Sequence, residues 1–264
     1  MTALPALMVA PNGARRTKAD HPALPMTLPE IVATARACAA EGADGLHLHL
    51  RDAQGRHVLD AGLYAEALAE LRSAVPGMAL QVTTEAVGLY ASEHQRHVAL
   101  HSGAGLVSIA PREIVTDTAQ NIVMRFYQDC AERGIAVQHI LYEAGDLELL
   151  RNVLPPTLFT APDLQLIFVL GRYTAGQQSD PTDLEAFLKA LTRENIAPDW
   201  ALCAFGVAET ACLCRAHHLG GKMRVGFENS LWHADGRVAR DNADRVRALR
   251  FACAAPSDSN TPAP

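Results

Sequence analysis

Short apolar runs alternate along this chain with longer segments whose apolar residues recur every three or four positions. The runs are rich in Val, Leu, Ile and Ala, which is typical of parallel strands buried on both faces, and the longer segments have the period of amphipathic helices. The pattern predicts strands at residues 6–10, 45–51, 79–82, 106–109, 136–141, 164–170, 200–204 and 221–225. It predicts helices at residues 28–40, 61–73, 93–101, 118–133, 146–152, 182–192, 208–218 and 242–253.

Eight successive strand–helix units predict an α/β fold, a (β/α)8 barrel of the TIM type, formed as a single domain by residues 1–254. In such barrels the chemistry lies at the carboxyl ends of the strands. The tail at residues 255–264 is rich in Pro, Ser and Asn and is predicted to be disordered.

The second predicted strand, with the sequence GLHLHLR, breaks the apolar rule. Side chains alternate along a strand, so the leucines share one face and His47, His49 and Arg51 share the other. Large polar side chains in a buried strand need a partner that compensates for their desolvation. A divalent metal ion bound by both imidazoles is one such partner, and a pair of hydrogen-bonded core histidines is the alternative.

The third metal ligand is predicted after the last strand. Arg224 and Glu228 have the same parity, so both point into the barrel mouth if strand geometry continues to Glu228. Strands two and eight are both even-numbered and contribute to the same inward layers, which allows His47, His49 and Glu228 to converge. Such a set with open positions fits Zn²⁺ acting as a Lewis acid, and Fe²⁺ or Mn²⁺ fit the same ligands. The alternative for Glu228 is an ion pair with Arg224 at the rim.

Composition and charge limit the classes of molecule that this chain is expected to bind. With 264 residues, 49% hydrophobic content and a net charge of -6, the chain has material for a sizeable core and no basic surface for nucleic acid or anionic membranes. The N-terminus has no signal-peptide pattern, and no run is long enough to cross a bilayer. The six cysteines are scattered without CxxC pairs and are predicted to be buried, reduced thiols of a cytoplasmic protein.

Several segments together resemble the β-keto acid cleavage enzyme family. They are PNGAR at residues 11–15, HLHLRD at 47–52, TTE at 83–85, VLG at 169–171 and GGKMRVGFE at 220–228. The resemblance covers residues 6–253 and implies an oligomeric TIM barrel, a dimer or tetramer, that uses zinc and acetyl-CoA. It implies an acyltransferase that converts a β-keto acid and acetyl-CoA into acetoacetate and a new acyl-CoA. His47, His49 and Glu228 correspond to the zinc ligands, and Arg224 to the active-site arginine.

Other strand-end residues receive roles from this chemistry. Arg224 is expected to stabilise a developing oxyanion, and the hydroxyls of Thr83 and Ser108 are candidate donors to the substrate carboxylate, although strand-end hydroxyls also bond the backbone. The family often has Asp after the zinc-ligand Glu, whereas this chain has Asn229, and an amide cannot accept the proton. Glu143, or else Glu85, is therefore predicted to be the base; alternatively, acidification by the metal suffices and Asn229 only orients Arg224.

A cation at Arg15 distinguishes this chain from the family member that binds an amino substrate through a Glu at that position. Arg15 favours a substrate with a polar or anionic far end, such as a dicarboxylic β-keto acid, unless Glu85 pairs with it or Arg15 is merely solvated. Arg172 is a candidate contact for a CoA phosphate. Two other functions fit the same residues: a metal-dependent aldolase or hydrolase that needs no CoA, and a catalytically silent barrel that binds a CoA ester or metabolite.

Overall fold

The predicted alternation of strands and helices produces a closed ring of eight parallel strands. In the computed structural model, which describes residues 3–254, the ring follows the order β1–β2–β5–β6–β7–β8–β9–β10 and closes on β1. The fold prediction of a TIM barrel is confirmed. The strands are β1 (Leu7–Val9), β2 (Gly45–Leu48), β3 (Leu50–Arg51), β4 (His57–Val58), β5 (Ala79–Thr83), β6 (Leu106–Ile109), β7 (Ala136–Leu141), β8 (Gln165–Leu170), β9 (Asp199–Ala204) and β10 (Lys222–Val225).

Helices cover the outside of the ring. Two one-turn helices were not predicted from the sequence, because four residues are too few to show a helical period. No helix among residues 3–254 combines the length and apolar character needed to span a membrane. The helices are α1 (Leu28–Ala40), α2 (Ala61–Ala74), α3 (Ser92–His101), α4 (Pro111–Ile114), α5 (Gln120–Glu132), α6 (Asp146–Val153), α7 (Pro156–Phe159), α8 (Leu184–Glu194), α9 (Glu209–His218) and α10 (Asn242–Ala254), with 3-10 turns at Ala175–Gln177 and Pro181–Asp183.

The second predicted strand ends earlier than expected. β2 stops at Leu48, and β3 pairs antiparallel with β4 outside the barrel, so Arg51 does not join the histidines. Its guanidinium instead donates to the carbonyl oxygens of Gly13, Arg16 and Gly55. Arg51 therefore holds the loop after β1, and the prediction that three cationic or coordinating side chains share one row was wrong for this residue.

The prediction of six reduced cysteines was wrong for one pair. Cys214 on α9 and Cys253 on α10 form a disulfide with a Cα–Cα distance of 5.0 Å. The two residues are 39 positions apart, and only the packing of the two helices brings them together. The remaining thiols are buried and free: Cys38, Cys130, Cys203 and Cys212.

The core has two layers. The larger layer lies between the strands and the helices, and a smaller cluster fills the barrel interior with side chains such as Leu106, Ile140 and Ile167. Two buried glutamines cross this interior, because Gln81 Nε2 donates to Gln138 Oε1 at 2.9 Å. The interior of the ring thus contains polar as well as apolar side chains. The polar side chains can support a site at the mouth of the barrel.

His139, on the outer face of β7, makes the stability of the fold sensitive to acid. Its ring contacts Tyr127, its Nδ1 has no hydrogen-bond partner, and burial lowers the pKa of His139 to about 3. Below about pH 6.5 the unfolded chain binds a proton here that the folded chain does not bind, so the free energy of unfolding falls by about 1.4 kcal/mol per pH unit from this group.

We expect His139→Met to reduce the loss of unfolding free energy between pH 6.5 and pH 5 by about 1.5 kcal/mol. Urea titrations at several pH values measure this change. The unmodified chain, measured in the same titrations, is the reference. Equal pH dependence of the His139→Met variant and the unmodified chain would contradict the prediction.

Candidate metal centre

Three side-chain atoms converge at the carboxyl ends of β2 and β10. His47 Nε2 lies 3.0 Å from His49 Nε2, and Glu228 Oε2 lies 3.6 Å from each of them. Ligand atoms around a tetrahedral zinc, with bonds of about 2.0–2.1 Å, are separated by about 3.3 Å. The three atoms therefore already have the spacing of ligands around one ion, and they form the group of metal-ligating residues found within residues 3–254.

The interior glutamines fix the protonation state of His47. Because the amide nitrogen of Gln81 donates to Gln138, its Oε1 is left to accept from His47 Nδ1 at 2.7 Å. The proton on Nδ1 leaves the Nε2 lone pair free for a metal. Burial lowers the pKa of His47 to about 4 and that of His49 well below its usual value, so both imidazoles are neutral at pH 7.

Glu228 supplies the negative charge of the cluster. Burial alone would raise the pKa of Glu228, but the Arg224 guanidinium and His47 more than offset it, and the pKa lies below its ordinary value. Its Oε2 is buried and has no hydrogen-bond partner. A buried carboxylate oxygen that faces two neutral imidazoles and accepts no hydrogen bond within the protein fits a divalent metal.

Two glycines allow the loop after β1 and the loop after β10 to approach each other closely. Gly13 has a φ of +61°, and a Cβ there would lie 2.6 Å from Glu228 Cγ. Gly226 has a φ of +141°, and a Cβ would lie 2.4 Å from the Ala10 carbonyl oxygen. Both positions therefore require glycine, which gives the PNG and RVGFE segments a structural reason beside their resemblance to a family.

Arg224 lies inside the barrel beside the cluster. Its side chain is buried, with Nη2 3.3 Å from Cys203 Sγ and 3.7 Å from Glu228 Oε1. Nε and Nη1 have no partner within the protein. A buried guanidinium with two unused donors is suited to bind an anion or a developing oxyanion at this position.

A cavity opens directly over the three ligand atoms. Glu85 is the second carboxylate in its wall, and Arg172 Nη2 lies 3.4 Å from Glu85 Oε1. Burial, together with the nearby charge of Glu228, raises the pKa of Glu85 to about 7, and Arg172 opposes this shift. The lining residues are His47, His49, Thr83, Glu85, Ile140, Tyr142, Val169, Arg172, Phe205, Arg224 and Glu228.

An outer cavity adjoins the first and is lined by three arginines and two glutamates. They are Arg15, Arg16, Arg172, Glu85 and Glu228. Arg16 has a structural role, since its Nη1 donates to the Phe227 carbonyl oxygen at 2.5 Å. Arg15 is exposed at the surface of this cavity, and Glu85 makes its ion pair with Arg172. Arg15 thus lines the outer cavity as an exposed cation.

The two predicted hydroxyl donors lie on neighbouring strands. Thr83 lines the inner cavity, and its hydroxyl oxygen accepts the backbone N–H of Glu85 at 3.0 Å. Ser108 is opposite Thr83 in the strand register, is buried, and its hydroxyl has no hydrogen-bond partner. Only Thr83 reaches the cavity wall.

Glu143 does not lie in the site. Its carboxylate is 71% exposed and accepts from Arg112 Nη2 at 2.8 Å on the outer rim. Asn229 is fully buried behind the ligand cluster, where its Nδ2 donates to the Arg224 carbonyl at 3.1 Å. The structure therefore brings Glu85 to the cluster and leaves Glu143 outside.

The sequence did not lead us to predict the glutamines that support His47 or the aromatic side chains in the wall of the inner cavity. Gln81 has the same parity on β5 as Thr83, so a glutamine in an otherwise apolar strand was an available signal of an inward polar contact. Gln138 gives the same signal on β7. Tyr142 and Phe205 follow strand ends and carry no comparable signal, because aromatic residues are common in ordinary cores.

Comparison with known proteins gives one family and several relatives. A family model described as beta-keto acid cleavage enzyme matches residues 6–259. The 3-keto-5-aminohexanoate cleavage enzyme of Fusobacterium nucleatum is 26% identical over 91% of this chain and 88% of its own length. The 3-oxoadipate:acetyl-CoA acetyltransferase of Cupriavidus necator is 26% identical over 94% of this chain and 87% of its own length.

Solved structures share the fold. The binary complex of ObcA with oxaloacetate superimposes with a TM-score of 0.64 at 15% sequence identity, covering 87% of this chain and 63% of that chain. The chain thus spans less than two thirds of that structure, and at this identity the likeness concerns the fold alone.

Proposed function

The chain belongs to the β-keto acid cleavage enzyme family, and on that premise we propose that it condenses a β-keto acid with acetyl-CoA and cleaves the product into acetoacetate and a new acyl-CoA. The observation that carries the proposal is the convergence of His47, His49 and Glu228 beside the unused donors of Arg224, under an open cavity. Relatives named as acetyl-CoA transferases, such as the protein of Cupriavidus necator, agree with this activity.

The metal is proposed to be Zn²⁺, held by His47, His49 and Glu228. A bound divalent cation would supply Lewis-acid polarisation of the substrate oxygens, which acidifies the carbon between the keto and carboxylate groups. Arg224, whose Nε and Nη1 have no partner within the protein, is proposed to donate hydrogen bonds to an oxygen that gains charge. Thr83, at the end of β5, lines the same cavity and is proposed as the hydroxyl donor to the substrate carboxylate, whereas Ser108 on the neighbouring strand is not part of the cavity wall.

The reaction balances without any further reagent. A base removes a proton from the carbon between the two carbonyl groups, and that carbon attacks the thioester carbonyl, from which CoA thiolate departs. The thiolate then adds to the distal ketone, the bond between that ketone and the former nucleophilic carbon breaks, and the proton returns to acetoacetate. The products are acetoacetate and the acyl-CoA of the remainder.

Glu85 is proposed as the base in place of Glu143. It is the carboxylate other than Glu228 in the wall of the inner cavity. We expect Glu85→Gln to lower kcat by about 100-fold or more, since a positioned base contributes about 10²–10⁴-fold, with little change in KM. Glu143→Gln, at the exposed rim, is the matched control and should retain kcat within about twofold. The reverse ranking in steady-state assays would return the role to Glu143.

The outer cavity selects the far end of the substrate. A carboxylate there can pair with Arg15, and such charged hydrogen bonds contribute about 1.5–3 kcal/mol, or about 10- to 100-fold. We expect Arg15→Ala to lower kcat/KM for 3-oxoadipate by that factor and to leave 3-oxohexanoate, which has the same chain length without the charge, nearly unchanged. Lys18→Ala removes a cation from the same loop and serves as the control; an equal loss for both substrates would contradict the prediction.

Acetoacetate formation tests the function. The zinc-loaded protein is incubated with acetyl-CoA and a panel of β-keto acids that differ in the charge of the far end. Acetoacetate and a matching acyl-CoA from one panel member would support the proposal. Cleavage that proceeds equally well without acetyl-CoA would indicate a metal-dependent aldolase or hydrolase, and binding without turnover of any member would indicate a silent binding protein.

Two further properties belong to the proposal. We infer a homo-oligomer, a dimer or tetramer, in agreement with exposed apolar side chains such as Phe251, which is 83% exposed on α10. Light scattering of the full chain measures the number of subunits. A cytoplasmic location agrees with the four free, buried thiols, although the Cys214–Cys253 disulfide shows that this pair can oxidise.

A further inference from the structure

A buried carboxylate contacts the backbone of the segment that carries Glu228, here called the Glu228 segment (residues 226–229). Glu209 begins α9 and is fully buried. Its Oε1 accepts the backbone N–H of Gly226 at 3.3 Å, and its Oε2 pairs with Arg245, which is also fully buried on α10. The carboxylate therefore joins two helices to the first residue of the segment.

Almost every other backbone N–H and C=O group of the Glu228 segment also forms a hydrogen bond. Asn242 Oδ1 accepts the Phe227 N–H at 2.9 Å, and the Glu228 N–H donates to the Ala10 carbonyl at 3.0 Å. Arg16 donates to the carbonyl of Phe227. The conformation of the segment is thus set by side chains from distant parts of the chain, because the segment itself forms no strand or helix.

Asn229 connects the same segment to β10. Its amide Nδ2 donates to the Arg224 carbonyl oxygen at 3.1 Å. An aspartate at this position could not donate to that oxygen and would bring a carboxylate against it. Asparagine is therefore the residue that matches its surroundings, and its presence after the metal ligand has a structural reason.

We propose that Glu209 is a positioning residue for Glu228, and that Asn229 holds the other end of the same segment through its hydrogen bond to the Arg224 carbonyl oxygen. The inference rests on the proposed metal centre. A buried ion pair is weak evidence for stability, because desolvation of the charges offsets their attraction. Its contribution here is to fix one conformation of the Glu228 segment, so that the Glu228 carboxylate faces both imidazoles before the metal binds.

Zinc affinity and the Co²⁺ absorption spectrum test this role without any assay of catalysis. We expect Glu209→Gln to weaken Zn²⁺ binding about 10- to 100-fold in chelator competition, as outer contacts of metal ligands do, and to alter the Co²⁺ d–d bands. Asn229→Asp should have a similar effect.

The control is Asp199→Asn, which removes the partner of Lys222 at the opposite end of β10. It perturbs an ion pair on the same strand but should leave zinc affinity and the Co²⁺ spectrum unchanged. Zinc binding by the wild-type chain, together with unchanged zinc binding by the Glu209→Gln and Asn229→Asp variants, would reject the positioning role alone. A wild-type chain that binds neither ion would overturn the metal centre and this inference with it. Circular dichroism verifies that each variant is folded.

Discussion

Replacing His49 by alanine is expected to weaken zinc binding by about a hundredfold or more and to remove acetoacetate formation. Apparent zinc-binding free energies of about 10–16 kcal/mol are shared among a few ligands, which assigns about 3 kcal/mol to each. His49 Nε2 lies 3.0 Å from His47 Nε2 and 3.6 Å from Glu228 Oε2, so its loss removes one corner of the set.

Two measurements check this expectation. Chelator competition gives the zinc affinity, and coupled detection of acetoacetate gives the activity at saturating zinc. His97→Ala, on the exposed face of α3, is the matched histidine control and should behave as the unmodified protein. Unchanged zinc affinity in the His49 variant would mean that the ion is held elsewhere, and the neutral imidazole pair would then be an ordinary buried contact.

Replacing Arg224 by lysine is expected to lower kcat by about 10²–10³-fold while zinc affinity changes little. Lysine keeps the positive charge beside Glu228, which lies 3.7 Å away, but loses the planar fork whose Nε and Nη1 are unpartnered. The loss of one preorganised oxyanion donor has that magnitude in enzymes that transfer acyl groups.

Steady-state kinetics with the preferred β-keto acid measures the effect. Arg112→Lys provides a control, because Arg112 lies at the same end of the barrel but pairs with Asp146 and Glu143 outside the inner cavity. Its kcat should stay within about threefold. A full kcat in Arg224→Lys would show that charge alone suffices, and a large loss of zinc affinity would show that Arg224 acts mainly through Glu228.

The contrast between Glu143 and Glu85 shows where prediction from sequence reached its limit. Both carboxylates follow a strand, so their position in the chain placed both at the barrel mouth. The side chain of Glu143 turns outward to Arg112, whereas that of Glu85 turns inward to Arg172. The choice between these directions depends on the loop after each strand, where side chains no longer alternate regularly.

Local pattern alone determined the barrel, the two histidines and the parity of Arg224 with Glu228, because strand and helix periods and side-chain alternation depend on near neighbours. Tertiary structure decided the contacts between residues far apart in the chain. It separated Arg51 from the histidines, joined Cys214 to Cys253, and placed Glu209 against the Glu228 segment. The physical reason is that such contacts form when helices and loops from distant parts of the chain pack together. The periodicity of the sequence does not indicate which side chains are then in contact.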